Sequence, residues 1–142
     1  MKRAASILAL AGAVTLFTIV PSYGHHSISA EFDVNAPISF TGTVKQVDWM
    51  NPHTYTHVEV KNPDGTTKVY KVEGGPPNAL YRQGWRKDSL KGGETVTVSG
   101  IKAKNPNSNN VGQATITTSD GRKVYAGGGG GRGAEFQTLP AK

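Results

Sequence analysis

The sequence predicts an all-β fold, a small Greek-key barrel of five to six strands with one short helix. Three observations lead to it. Short runs of Val, Ile, Thr and Tyr alternate apolar with polar residues, clusters of Gly, Pro, Asn and Asp separate these runs, and only residues 78–83 carry a helical reading. A length of 142 residues holds one domain with room for tails.

The first residues are set aside before the fold is built. Lys2 and Arg3 form a positive leader, residues 7–20 are almost wholly apolar or small, and Ser22 and Gly24 suit the −3 and −1 positions of signal peptidase. Residues 1–24 are therefore expected to be a signal peptide, since the apolar run falls short of a span of about 20 residues. Their removal leaves 118 of the 142 residues and lowers the formal charge from +6 to +4. The chain has no cysteine. That excludes a disulfide framework, a thiolate zinc site, a thiol nucleophile and a lipidated anchor. A periplasmic protein, not embedded in the membrane after cleavage, fits best, and full secretion is the other destination.

Residues 25–37 form a polar lead segment, and the domain is expected over residues 38–126. Ile38, Phe40 and Val44 alternate with polar neighbours as a half-buried strand does. The parity then shifts to Val47 and Trp49, which Gly42 or a bulge near Lys45 would allow. Asn51-Pro52 closes this strand. A second strand, residues 53–61, turns through Asn62-Pro63-Asp64-Gly65 into a third over residues 67–73. Gly74-Gly75-Pro76-Pro77 leads into the short helix, with Gly84 as its stop and Leu80, Tyr81 and Trp85 as a plug for one end of the sheet. Strands follow over residues 94–102, 113–118 and 122–126, with residues 104–110 as a polar loop and Ser119-Asp120-Gly121 as a turn. Residues 127–142 read as a flexible Gly-rich tail. Three strands, a short helix and two or three more strands follow the order of the OB-fold, and closure removes the edges that threaten a small β-protein. An open β-sandwich is the competing architecture.

The residues also carry a family likeness. His25-His26-Ser27, Glu31-Phe32-Asp33, Trp49-x-Asn51-Pro52-His53, Pro77-Asn78-x-Leu80-x-Arg82-x-Gly84-Trp85 and Val96-x-Val98-x-Gly100 resemble the exported bacterial proteins grouped as DUF6152. The likeness runs from about His25 to Ala126. The His-His-Ser opening and the Trp-x-Asn-Pro-His element are its specific parts, and His57 departs from the usual pattern. The resemblance implies an exported, β-barrel-like domain and brings no activity with it.

All four histidines lie in two clusters, His25/His26 and His53/His57. Cleavage after Gly24 would give His25 a free α-amine, with a reference pKa of about 7.7–8.0, beside its own imidazole. Amine and imidazole can chelate one metal, with a third nitrogen from elsewhere, and nitrogen-rich tetragonal geometry suits Cu(II). Cleavage after Tyr23 would instead present Gly24-His25-His26, another Cu(II) chelate. Metal ligands are therefore expected at His25, His26 and His53, with copper as the cofactor. The plainer reading is that the paired histidines are solvated polar groups and that His53 caps backbone groups or stacks on Trp49. His53, Tyr55, His57 and Glu59 share one strand parity, opposite to Val58 and Val60. His53 and His57 lie about 13 Å apart on a flat strand, too far to share a metal. His53 is thus the better partner for the terminal pair.

A second candidate surface is basic and aromatic: Tyr81, Arg82, Trp85 and Arg86, followed by Lys87. Stacking aromatics in a positive groove bind oligomers on OB-folds. Alternatively, the aromatics bury against the barrel end while the charges stay solvated. No nucleophile elbow, His-Glu-x-x-His helix, P-loop or dinucleotide fingerprint is present. The leading expectation is a non-enzymatic exported binding or accessory module whose partner is a metal ion or a periplasmic protein or ligand, not nucleic acid. The alternatives are an OB-type module for a saccharide, peptide or protein with structural histidines, and a copper-dependent oxidative enzyme.

Overall fold

A computed structural model describes residues 28–124; the expected signal peptide, His25, His26 and the Gly-rich tail lie outside the described residues. The elements run α1 (Ile28–Glu31), β1 (Phe32–Asp48), β2 (Tyr55–Lys61), β3 (Thr67–Glu73), α2 (Pro77–Arg82), β4 (Thr95–Ala103), β5 (Asn110–Thr118) and β6 (Lys123–Val124).

Strand β1 organises the rest. Its first half pairs antiparallel with β4, from Pro37↔Ile101 to Thr43↔Thr95, and its second half pairs with β2, from Thr43↔Glu59 to Asp48↔Tyr55. The register slips between Val44 and Gln46, so the extra residue is Lys45, where the apolar parity of the sequence changes. Strand β2 pairs with β3, and β5 pairs with β4. A short parallel ladder, Lys71↔Asn110 and Val72↔Val111, joins β3 to β5 and closes five strands into a ring. This is the connectivity expected of an OB-like Greek key. The six strands form one continuous sheet, not the two layers of a sandwich.

The ring encloses a core in which Val44, Val58, Val72, Val96, Val98 and Ile116 meet Leu80, Leu90 and Trp85. Each fully buried aliphatic side chain contributes about 1.5–3 kcal/mol of transfer free energy. On the outer face the polar half of the alternation pairs across strands. The Thr41 and Thr97 hydroxyls lie 3.0 Å apart and those of Ser39 and Ser99 3.3 Å apart. Such pairs contribute about 0.2–1 kcal/mol each.

The tight turns follow from their residues. Asn62 to Thr66 closes the β2–β3 hairpin, with the Asn62 amide donating to the Thr66 carbonyl at 2.8 Å and Gly65 at φ +84°. Hydrogen bonds from Thr66 hold the Asp64 carboxyl below its usual range. In the β5–β6 turn, the Thr118 hydroxyl and Arg122 hold Asp120 down to about 2.

Element ends differ from the sequence reading by one or two residues in β2, α2, β4 and β6, and three further differences have a physical reason. Strand β1 starts at Phe32 rather than Ile38, because Phe32 is buried and supplies an anchor that the polar residues after it conceal. Strand β5 starts at Asn110 rather than Gln113, because the ladder to β3 recruits Val111 and also Asn110, which locally reads as loop. Helix α2 buries Leu80 and is followed by buried Trp85, but Tyr81 points outward and is 59% exposed, so it takes no part in the plug.

Candidate functional site

The site is built where the β1–β2 loop meets the end of β3. The loop contains a cis peptide at Asn51-Pro52 and leads into Thr54, which is buried. The Thr54 amide and hydroxyl both donate to the Gly75 carbonyl, at 3.1 and 3.0 Å, and the Gly74 amide donates back to Thr54 at 2.8 Å. These bonds fix the chain on either side of His53 and Glu73. The two side chains are largely shielded, and Nδ1 of His53 hydrogen-bonds Oε1 of Glu73. A carboxylate facing Nδ1 favours the ring tautomer that donates from that nitrogen.

His57 makes a separate pair on the other side of β2. Its Nε2 lies 2.7 Å from Oδ2 of Asp48, and the Gln46 amide donates to Oδ1 of the same carboxylate at 2.9 Å. The structure therefore gives the two histidines different carboxylates and does not bring them together. Between them stands Tyr55, opposite Glu73 in the β2–β3 ladder, with the Lys71 ammonium 4.0 Å from its ring centroid.

Burial, Glu73 and Glu31 push the Tyr55 phenol above the ordinary tyrosine value of 10.0. Tyr55 is thus a neutral hydroxyl at neutral pH. Its ring resonances, followed by NMR, are expected to titrate above that value, and Glu73→Gln is expected to bring the midpoint down. An unchanged midpoint in the variant would mean that Glu73 exerts no field there.

The start of the described chain lies at this same end, because Glu31 is bonded by Asn110, the partner of Lys71 in the β3–β5 ladder. Oε1 of Glu31 accepts from the Asn110 amide at 3.1 Å, and its carbonyl accepts from the Lys104 amide at 2.9 Å. The Lys104 ammonium donates to the Ser29 carbonyl at 2.5 Å. A surface hollow of about 670 Å³ lies here, lined by Ala30, Glu31, Lys104, Asn105, Ser108 and Asn110 among others.

Among the described residues, no three His, Cys, Asp or Glu side chains converge to hold a metal ion. The basic and aromatic group is arranged differently from a groove. Trp85 is buried in the core, and the Arg86 guanidinium lies 3.9 Å from the Tyr81 ring centroid while donating to the Tyr81 and Trp85 carbonyls. Arg82 sits exposed in the last turn of α2.

Reasoning on types and spacing found His53 but not Glu73, Tyr55 or Asn110. Glu73 was recoverable, because the Asn62–Gly65 turn sets the hairpin register that places it opposite Tyr55 and diagonal to His53. Asn110 carried no such signal.

Fold and site together define a small all-β domain with a closed five-strand ring and a histidine–carboxylate pair at one end. The chain belongs to a family of unknown function, DUF6152, whose model matches residues 14–113. No curated protein and no solved structure gives a significant match. Among the described residues no helix is long and apolar enough to cross a membrane.

Proposed function

We propose that this protein is an exported, non-enzymatic binding module of the periplasm that captures or delivers Cu(II). The metal is held by the mature N-terminus, through His25 with its α-amine or through His26, and by Nε2 of His53. The observation that supports this reading is the His53–Glu73 pair. Metal-bound imidazoles commonly donate their second ring N–H to a carboxylate, which fixes the ring and raises its basicity. The described chain also begins near this end, because Glu31 is bonded by Asn110, which pairs with Lys71 of β3. Glu31, just downstream of Ile28, acts electrostatically on Tyr55.

The module has a second reading, as a binder of a polar saccharide or peptide, favoured by the hollow beside Glu31 and Lys104. Copper titration of correctly processed protein separates the two. His25→Ala and His53→Ala are each expected to weaken binding by about 10- to 100-fold, and an extra N-terminal residue to weaken it similarly. Affinity should fall as pH drops toward and below 6, because binding needs neutral imidazoles and an unprotonated amine. Unchanged binding in all three variants would reject the copper site and leave the histidines structural.

A further inference from the structure

The net charge of the described domain sits on one short stretch. Residues 81–91 carry four basic groups, Arg82, Arg86, Lys87 and Lys91, against the single acid Asp88, whereas the rest of the described domain carries eight basic and eight acidic groups. All five charged side chains of the stretch are exposed. Their mounting is firm, because Leu80, Trp85 and Leu90 are buried in the core and turn the residues between them outward. Arg86 is fixed further. Its guanidinium donates to the Tyr81 and Trp85 carbonyls at 3.1 and 2.8 Å and lies 3.9 Å from the centroid of the exposed Tyr81 ring. The main chain is engaged as well: the amides of Gln83, Gly84 and Trp85 donate to carbonyls of α2, and those of Arg86 and Lys91 to the side chains of Ser89 and Glu94. This stretch is helix and turn rather than strand edge, so a peptide cannot add to it as a strand, and recognition falls to the charges and the ring.

We propose that the outer face of α2 and the turn after it form a docking surface for an anionic membrane, read through the acidic headgroups of its lipids. The proposal goes beyond the copper reading and does not depend on it. Charge complementarity carries it. Each Lys or Arg held near an anionic bilayer strengthens binding about fivefold, so four basic groups less one acid favour that surface about a hundredfold over a neutral one. Binding of this kind is reversible and weakens with salt. Tyr81 favours a membrane over a soluble acidic chain, since an exposed ring with a polar tip suits the headgroup level of a bilayer. The shape agrees, because a helix end and its turn meet a plane without a groove, and none of these residues lines the hollow beside Glu31 and Lys104.

The test is co-sedimentation of the processed protein with vesicles of phosphatidylcholine alone and of phosphatidylcholine mixed with phosphatidylglycerol. The parent is expected to bind the mixed vesicles, to leave the neutral ones, and to be released by added salt. Arg82→Gln combined with Lys87→Gln should weaken binding about 25-fold, and Asp88→Asn should tighten it about fivefold. Lys102→Gln combined with Lys123→Gln removes the same charge from exposed residues outside the stretch and should bind as the parent does. Urea unfolding midpoints should agree across the set, since every substituted side chain is exposed. A parent that ignores the mixed vesicles overturns the proposal. A charge-matched control that loses as much affinity as the Arg82 and Lys87 variant also overturns it, because net charge alone would then explain the binding. Soluble polyglutamate held more tightly than the mixed vesicles would overturn it in favour of an acidic chain as the partner.

Discussion

Replacing Trp85 by alanine is expected to lower the free energy of unfolding by about 3–5 kcal/mol, the range for removing a large aromatic from a packed core. Trp85 is 5% exposed and packs with Leu80 and Leu90 in the core that α2 caps. The loss would take a large share of the roughly 5–15 kcal/mol that holds a domain of this size folded. In urea, the transition midpoint should fall while its slope stays constant, because the surface exposed on unfolding is nearly unchanged. Were Trp85 a stacking platform for a ligand, its removal would cost binding and leave the midpoint in place.

A second large loss is expected from Gly42→Val. A Cβ at position 42 would lie 2.5 Å from the Glu59 carbonyl oxygen and 2.7 Å from Cγ1 of Val58. The oxygen belongs to the backbone of β2, so relief requires β1 and β2 to part where β1 passes from β4 to β2. Overpacking of this kind costs about 1–3 kcal/mol when side chains can give way, and a backbone contact puts this variant at about 3 kcal/mol. Thermal unfolding compared with Thr41→Ala is the check, since Thr41 is exposed and its removal costs only a cross-strand hydroxyl pair. A Gly42→Val protein as stable as the Thr41→Ala protein would show that the crossing of β1 and β2 is looser than the close contact implies.

The parts of this fold legible in the sequence are those set by local chemistry. Period-two alternation located β1 and β4, the Thr, Tyr and Val content located β2, the parity change between Val44 and Val47 located the bulge, and Asn62-Pro63-Asp64-Gly65 located the hairpin into β3. The closure of the ring was less visible, because Lys71↔Asn110 and Val72↔Val111 are parallel pairs between distant segments and Asn110 reads locally as loop. The site divided in the same way. His53 stood out by residue type, and its outward parity with His57 followed from spacing. Glu73 beside His53 follows from the β2–β3 hairpin register, whereas the pairing of Asp48 with His57 depends on the bulged register of β1 against β2, which residue spacing alone does not encode. The bonds of Lys104 and Asn110 to residues 29–31 join segments 75 and 79 residues apart in sequence and are visible only in three dimensions.

The central claim is that the mature N-terminus and His53 share one copper ion. The measurement that tests it most directly is the nitrogen coupling pattern in pulsed EPR of Cu(II)-loaded mature protein, with only the histidine imidazoles labelled with ¹⁵N. The account predicts at least two coupled imidazoles in the parent and one fewer in His53→Ala. The same pattern in both proteins would contradict it, leaving an isolated terminal chelate on a barrel whose histidine–carboxylate pairs are structural.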